Sequence, residues 1–175
     1  MKPPAPRVAI LMGSASDVEA MAGAAAQLEA MGVGYEVEVT SAHRSPERTI
    51  RYVKEAEERG IRVFIVGAGM AAHLAGVVAA HTVRPVLGVP LAGRLLDGLD
   101  ALLSTVQMPK GVPVATLGVG SHGAANAGLL ACQILALEDE PLRRRLEAAR
   151  RELSRAVESS SERAKRRLRE ILDGC

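Results

Sequence analysis

The chain has 175 residues, of which 48% are hydrophobic and 2% are aromatic. This length accommodates one domain with a sizeable core, and the composition excludes a disordered chain and predicts a core of Ala, Val, Leu and Ile. The formal net charge of +2 conceals an asymmetry, because residues 141–175 hold 11 of the 22 Lys and Arg but only 6 of the 20 Asp and Glu.

The two cysteines and the N-terminal segment indicate the cellular compartment in which the protein is located. Cys132 and Cys175 lie far apart in the sequence, and we interpret them as two free thiols in a reducing compartment rather than as a disulfide. The first residues lack the apolar stretch of a secretory signal, and no apolar run approaches membrane-spanning length without charges or turn residues. We therefore expect a cytoplasmic protein with no membrane partner.

The first 140 residues alternate between strand and helix signals. Short apolar or alternating runs predict strands at 7–12, 35–40, 63–66, 85–89 and 112–117. Longer segments bounded by glycine or proline predict helices at 18–31, from 46 to near 60, from after 69 to about 81, at 95–106 and at 124–137. Strands that alternate with helices predict a parallel sheet with right-handed crossovers. We expect a three-layer α/β/α domain over residues 1–140.

The tail from residue 141 has a different character. It is rich in charged helix formers, and apolar or small residues recur at spacings of four and three from Leu142 to Ser160. We expect one long charged helix, or two, as a basic extension of the same domain. We interpret its arginines as a solvated face, and we expect no nucleic-acid partner, because no aromatic or glycine residues are interleaved with them.

Two predicted helices are unusually apolar. The segments 21–30 and 124–136 carry apolar residues around much of the helix circumference. Burial between subunits would explain this pattern, and a core built from many small residues is the alternative. We favour a homo-oligomer.

Three loops that follow predicted strands are rich in polar or glycine residues. The carboxyl ends of parallel strands meet at one edge of a sheet, so these loops predict a single site. The first loop, Gly-Ser-Ala-Ser-Asp at 13–17, places backbone amides and two hydroxyls at a helix N-terminus, which suits a phosphate. A capped turn, with Asp17 as the cap, is the structural alternative.

The second loop, Ser-Ala-His-Arg at 41–44, carries a titratable ring beside a permanent cation. Arg44 would hold an anion by charge-assisted hydrogen bonds, and His43 can exchange a proton near neutral pH. The structural alternatives are a loop histidine bonded to a carbonyl and a surface ion pair between Arg44 and Glu47.

The third loop, Gly-Ala-Gly-Met-Ala-Ala-His at 67–73, consists mostly of small residues. Small residues let backbone amides approach a ligand and leave room for a planar group or carbon dioxide. His73 is expected in the first turns of the next helix, where a capping or core role is equally open. No acidic and histidine residues recur at metal-ligand spacing, so we predict no metal. The three loops suit a phosphorylated small molecule that undergoes proton transfer without a cofactor.

Together the three loops resemble those of the 5-(carboxyamino)imidazole ribonucleotide mutase family of purine biosynthesis. The likeness runs from about residue 7 to about residue 137 and includes Pro-Val-Leu-Gly-Val-Pro at 85–90, Gln-Met-Pro-x-Gly-Val-Pro-Val at 107–114 and Ala-Ala-Asn-Ala at 124–127. The resemblance implies a flavodoxin-like fold, a homo-octamer and no cofactor. It also implies that the substrate's carboxylate moves from the exocyclic nitrogen to a ring carbon, through release and recapture of carbon dioxide.

The resemblance implies a role for individual residues. His43 is the implied general acid and base of the mutase. The implied substrate-binding residues are Ser14, Ser16, Asp17, Ser41 and Arg44 for the phosphate and ribose, and Ala68, Gly69, His73 and Leu74 for the base and carbon dioxide. A related branch carboxylates aminoimidazole ribonucleotide directly and usually carries Lys after the histidine, so Arg44 favours the mutase. A non-catalytic nucleotide-binding paralogue is the further alternative.

Two residues depart from the family's pattern. Met70 stands where the family usually has Gly, and Ala75 stands where it usually has Pro. If the backbone at this Gly has positive φ, we expect strain at Met70 or a different loop.

Overall fold

The structure is a computed structural model that describes residues 4–93 and 96–173. Cys175, predicted as a free thiol, and residue 95, where a helix was predicted to begin, lie outside these ranges. The chain divides into two compact units, Met1–Leu135 and Ala136–Cys175.

The first unit alternates strands and helices as predicted. Its strands are β1 (Pro6–Met12), β2 (Gly34–Val39), β3 (Val63–Gly69), β4 (Val86–Leu91) and β5 (Ala115–Thr116). Its α-helices are α1 (Val18–Ala30), α2 (Pro46–Glu58), α3 (Leu74–Ala79), α4 (Leu99–Val106) and α5 (Gly120–Leu135). Short 3-10 turns, Ala15–Asp17 and Leu96–Gly98, precede α1 and α4.

The five strands form one parallel sheet in the order β2-β1-β3-β4-β5. This is the flavodoxin-like strand order, in which the chain reverses its direction of growth between β1 and β3. The predicted α/β class, parallel sheet and flavodoxin-like fold are confirmed. A crevice for ligands is expected beyond the carboxyl ends of β1 and β3, where the reversal occurs.

Helices cover both faces of the sheet. On one face a single buried cluster joins the strands to α2, α3 and α4; it includes Ala9, Leu11, Phe64, Val66, Val53, Ala56, Leu74, Ala75, Val78 and Ala101. Side chains of a strand alternate between faces, so Val8 and Ile10, both buried, point to the other face. There α5 contacts β3 and β4, and α1 packs along α5. The result is the predicted three-layer α/β/α arrangement.

Small residues let α1 and α5 approach closely. A Cβ atom added to Gly128 would lie 2.6 Å from the carbonyl oxygen of Ala24, and one added to Gly23 would lie 3.1 Å from that of Ser121. This packing within one chain accounts for part of the apolar character of both helices. The packing of α1 against α5 does not explain why Ala22, Ala26 and Ala30, which are exposed on α1, are also apolar.

Several element boundaries differ from the sequence prediction, and three of the differences have a clear local cause. The strand β5 has two residues where 112–117 was predicted, because the Val112 amide bonds back to the Pro109 carbonyl and Pro113 has no N–H to donate. The strand β3 continues through Gly69 because its end pairs with Leu91 of β4. The helix α4 begins at Leu99, since the backbone of the preceding residues has positive φ.

The second unit contains one long helix, α6 (Glu140–Asp173), where one helix or two were predicted. Ion pairs at spacings of three or four residues follow its surface: Arg143–Glu140, Arg144–Glu140, Arg155–Glu152, Lys165–Glu162 and Arg167–Glu170. Such exposed pairs stabilise a helix only modestly. None of the helices within residues 4–93 and 96–173 combines the length and apolar character that crossing a membrane requires.

A buried pair of hydroxyls anchors the loop that follows β2. The Oγ1 atoms of Thr40 and Thr49 lie 2.7 Å apart, and both residues are almost fully buried. The Thr49 hydroxyl also donates to the Ser45 carbonyl, one turn earlier in the chain. The start of α2 is thereby attached to the end of β2 beneath residues 41–44.

We expect Thr49→Val to destabilise the protein by about 1–3 kcal/mol, because it leaves the buried Thr40 hydroxyl without its partner. Adding Thr40→Val should recover part of this loss, since no hydroxyl is then buried unpaired. Urea unfolding of both variants would measure the two free energies. A double variant less stable than Thr49→Val alone would show that the hydroxyl pair is not the cause.

Candidate active site

A cavity of about 500 Å³ opens at the carboxyl edge of the sheet, beside β1 and β3. All of the predicted site residues line it: Ser14, Ser16, Asp17, Ser41, His43, Arg44, Ala68, Gly69, His73 and Leu74. The three loops that were singled out in the sequence therefore form the walls of one cavity.

The cavity has a fourth wall that sequence reasoning missed. It consists of Leu91, Ala92 and Gly93, at and just after the end of β4. A Cβ atom added to Gly69 would lie 3.3 Å from the Leu91 carbonyl oxygen, so the third loop and this wall are close together. The signal was available, because Leu-Ala-Gly also follows a predicted strand at the same edge of the sheet.

The first loop is a capped turn that also presents hydroxyls. The Ser14 amide donates to Oδ2 of Asp17 at 3.0 Å, and the Ser16 amide donates to Oγ of Ser14 at 3.3 Å. The reciprocal bonds form a capping box at the 3-10 turn. The Ser16 hydroxyl lies 2.8 Å from that of Ser14. The first loop therefore caps the 3-10 turn and also presents both serine hydroxyls to the cavity.

The Asp17 carboxyl is partly buried in the cavity wall. Removal from water raises the pKa of the Asp17 carboxyl, because burial disfavours the charged form. Hydrogen bonds from the Ser14 amide and the Ser16 hydroxyl act in the opposite direction without cancelling this effect. The carboxylate is therefore held in the cavity wall at some cost to the folded state.

Arg44 spans from the second loop to the first. Its backbone amide and its Nε both donate to Oγ of Ser41, at 3.2 and 3.4 Å. Its Nη2 donates to the Gly13 carbonyl at 3.2 Å. The guanidinium thus lies beside Ser14 at the cavity wall, which favours the anion-binding interpretation over a surface ion pair with Glu47.

The two predicted histidines contact each other across the cavity. Nε2 of His43 lies 2.7 Å from Nδ1 of His73, and the rings meet edge to face with centroids 4.9 Å apart. At this distance the two nitrogens form a hydrogen bond, in which one ring nitrogen donates and the other accepts. This contact replaces the carbonyl bond considered for a structural His43.

The position of His73 differs slightly from the prediction. It precedes α3, at the N-cap position, instead of lying in the first turns, and its side chain makes no capping hydrogen bond. Its backbone amide donates to the Ala71 carbonyl at 2.7 Å, and the Ala72 amide donates to the Met70 carbonyl at 2.9 Å. These two tight turns direct the ring back to His43.

The backbone of Met70 has φ of 56°, in the left-handed region that disfavours a residue with a Cβ atom. Of the two outcomes expected at this position, strain at Met70 or a different loop, the positive φ therefore indicates strain.

We expect Asp17→Asn to raise the melting temperature at neutral pH, because the amide is neutral and its oxygen can still accept from Ser14. A raised pKa in the folded state means that stability is lost as pH rises from the unfolded value through the folded one. The advantage of the variant should therefore grow with pH above about 4 and vanish below it.

Thermal unfolding across this pH range would test the expectation, with Glu58→Gln on the exposed end of α2 as a control that removes the same charge. A stability difference between Asp17→Asn and wild type that does not vary with pH would contradict it.

Comparison with known proteins identifies relatives of this chain. A sequence model of the family described as AIR carboxylase matches residues 7–156. The N5-carboxyaminoimidazole ribonucleotide mutase of Vibrio parahaemolyticus is 54% identical over 151 residues, 86% of this chain and 94% of the relative. Its namesake in Bacillus subtilis is 52% identical over 157 residues, 90% of this chain and 97% of the relative.

Relatives are also found at the level of structure. The crystal structure of Treponema denticola PurE superposes with a TM-score of 0.82 at 26% identity, covering 90% of this chain and 98% of that chain. The residues matched by the family model include all the loops that line the cavity. On this evidence the chain belongs to the AIR carboxylase family.

Proposed function

We propose that this chain converts N5-carboxyaminoimidazole ribonucleotide into 4-carboxy-5-aminoimidazole ribonucleotide in purine biosynthesis. The observation that carries the proposal is the His43–His73 contact inside a cavity that also contains Arg44 and the serine hydroxyls of the first loop. Relatives that are 51–54% identical over most of the chain bear the name of this mutase. The catalytic domain spans residues 1–140, with 141–175 as its basic helical extension.

In the proposed reaction His43 transfers a proton in both halves. The C–N bond of the carbamate breaks with its electron pair going to nitrogen, which takes a proton from His43 as carbon dioxide leaves. The ring carbon then attacks carbon dioxide, and a C–C bond forms. His43 takes the proton from that ring carbon, so the enzyme returns to its starting state and no atom is gained or lost.

His73 positions the ring of His43 in this proposal. A second imidazole 2.7 Å from Nε2 restricts the ring's rotation and determines which nitrogen carries a proton. Because one ring must accept where the other donates, a proton that leaves or enters His43 changes the bond to His73. His73 also lines the cavity together with Leu74, where the base of the substrate binds.

The phosphate and ribose bind at the opposite wall. Arg44 supplies a permanent cation, and Ser14, Ser16 and Ser41 supply hydroxyls around it. Charge-assisted bonds from a guanidinium are among the strongest anion contacts available to a protein. Asp17 accepts from the ribose hydroxyls, and Ala68 and Gly69 leave room for the base and the trapped carbon dioxide. A charged substrate of this kind is expected in the cytoplasm, since it crosses membranes poorly.

We expect His43→Asn to lower kcat for the carbamate substrate by about 10²–10⁴-fold, because general acid–base transfer contributes a factor of this size. Substrate binding should survive, since the phosphate contacts remain. His81→Asn is the matched control, because His81 bonds to the Val77 carbonyl at the end of α3 and should be replaceable without loss of turnover.

The assay should compare N5-carboxyaminoimidazole ribonucleotide with aminoimidazole ribonucleotide plus bicarbonate. Turnover of the second substrate alone would assign the chain to the direct carboxylase branch. Binding without turnover of either substrate would identify a non-catalytic nucleotide-binding protein.

The functional unit in this proposal is a homo-oligomer, an octamer by resemblance to the family. Support comes from a row of aliphatic side chains on α4, in which Leu99, Leu103 and Val106 are each 48–50% exposed in the single chain. Their spacing of four and three residues places them on one side of the helix. A second copy of the chain would remove this row from water.

We expect Leu103→Lys to shift the protein towards smaller species in sedimentation velocity, because a charge in a subunit interface is costly to bury. Glu58→Lys also introduces a lysine on an exposed helix and should leave the sedimentation coefficient unchanged. A wild-type protein that sediments as a monomer would contradict the oligomer.

A further inference from the structure

Met70 combines a strained backbone with an exposed apolar side chain. Its φ is 56°, and its side chain is 72% exposed although it lines the cavity. Within residues 4–93 and 96–173, the other non-glycine residues with positive φ are Leu96 and Asp97, which do not line the cavity. Left-handed backbone at a residue with a Cβ atom costs conformational free energy.

The fold gains little from the side chain of Met70. An exposed thioether removes almost no apolar surface from water, and glycine would adopt the same backbone conformation without strain. The Met70 carbonyl accepts from the Ala72 amide in the turn that precedes His73, but a glycine could make that bond as well. Because Met70 lines the cavity, its side chain points to a role there.

The side chain of Met70 belongs to the cavity lining and is largely exposed, so it lies at the rim of the cavity. A Cβ atom added to Gly93 would lie 3.9 Å from Cγ of Met70, so the thioether chain reaches from the third loop towards the fourth wall. The third loop also supplies His73, whose Nδ1 lies 2.7 Å from Nε2 of His43, so Met70 and the histidine pair line the same cavity. Methionine is unbranched and flexible, and it adapts to contacts of irregular shape.

We propose that Met70 is an apolar cover over the mouth of the cavity, which retains the carbon dioxide released from the substrate until the ring carbon recaptures it. The inference rests on the proposed mutase function. Carbon dioxide is small and uncharged, so no ionic contact can hold it, and only a closed apolar boundary slows its escape. In this role Met70 makes no bond to a reacting atom. It affects only the fraction of the released carbon dioxide that the ring carbon recaptures before the gas escapes.

The partition can be measured directly with labelled bicarbonate. Wild type and variants convert unlabelled N5-carboxyaminoimidazole ribonucleotide in buffer with ¹³C-bicarbonate and carbonic anhydrase, and mass spectrometry gives the label in the initial product. A reaction without enzyme corrects for spontaneous exchange of the carbamate. Label enters the product only when the released carbon dioxide leaves the cavity before recapture.

Three variants separate the side chain from the backbone. Met70→Gly and Met70→Ala both remove the cover, and label in their product should rise several-fold over wild type. Met70→Leu preserves an apolar side chain of similar size, and its label should stay near the wild-type value. Only Met70→Gly relieves the strain, so its melting temperature should rise while that of Met70→Ala does not.

The outcomes distinguish this inference from the proposed function. Normal turnover with equal label in wild type, Met70→Gly and Met70→Ala would overturn the cover and leave the mutase intact. Label that follows the melting temperature instead of side-chain size would also overturn it. Absence of carbamate turnover in wild type would overturn the mutase and the cover together.

Discussion

The parallel pairing of β1 with both β2 and β3 is the constraint on which the cavity depends. Because these strands are neighbours in the sheet, the loops that follow them emerge side by side. Two backbone bonds extend the pairing just past the strands, from the Thr40 amide to the Met12 carbonyl and from the Gly13 amide to the Gly67 carbonyl. These bonds fix the backbone at the start of the first and second loops, so the sheet determines where these two walls of the cavity begin.

Two residues of the cavity wall, Asp17 and Met70, lower the stability of the folded protein. Asp17 is partly removed from water, and the strain at Met70 is not offset by burial of its side chain. The capping box supplies a compensating contact at Asp17, and the Thr40–Thr49 hydroxyl pair anchors the second loop of the site. Sites that bind and transform ligands commonly retain such local costs because the surrounding structure is stable enough to bear them.

The surface of the chain reflects its near lack of aromatic residues. With small side chains, α1 and α5 pack closely, but the first unit cannot bury all of its aliphatic surface, and the row on α4 stays in contact with water. The helix α6 is different, because its exposed charges pair along its own surface. The family match ends at residue 156, whereas α6 continues to Asp173.

The sequence by itself determined the fold class, the alternation of strands and helices and the three loops of the cavity. These features are local, since apolar runs, glycines and prolines act on their own neighbourhood in the chain. The residue types also singled out His43, Arg44 and the hydroxyls of the first loop as candidates, the resemblance added their implied roles, and the structure brings them to one cavity.

Only the tertiary structure decided the rest. The contact between His43 and His73 joins residues 30 positions apart, and the wall at Leu91–Gly93 becomes part of the site because β4 pairs with β3. Such features follow from how strands pair and loops meet in space, and local sequence patterns do not encode the distances between residues of different loops.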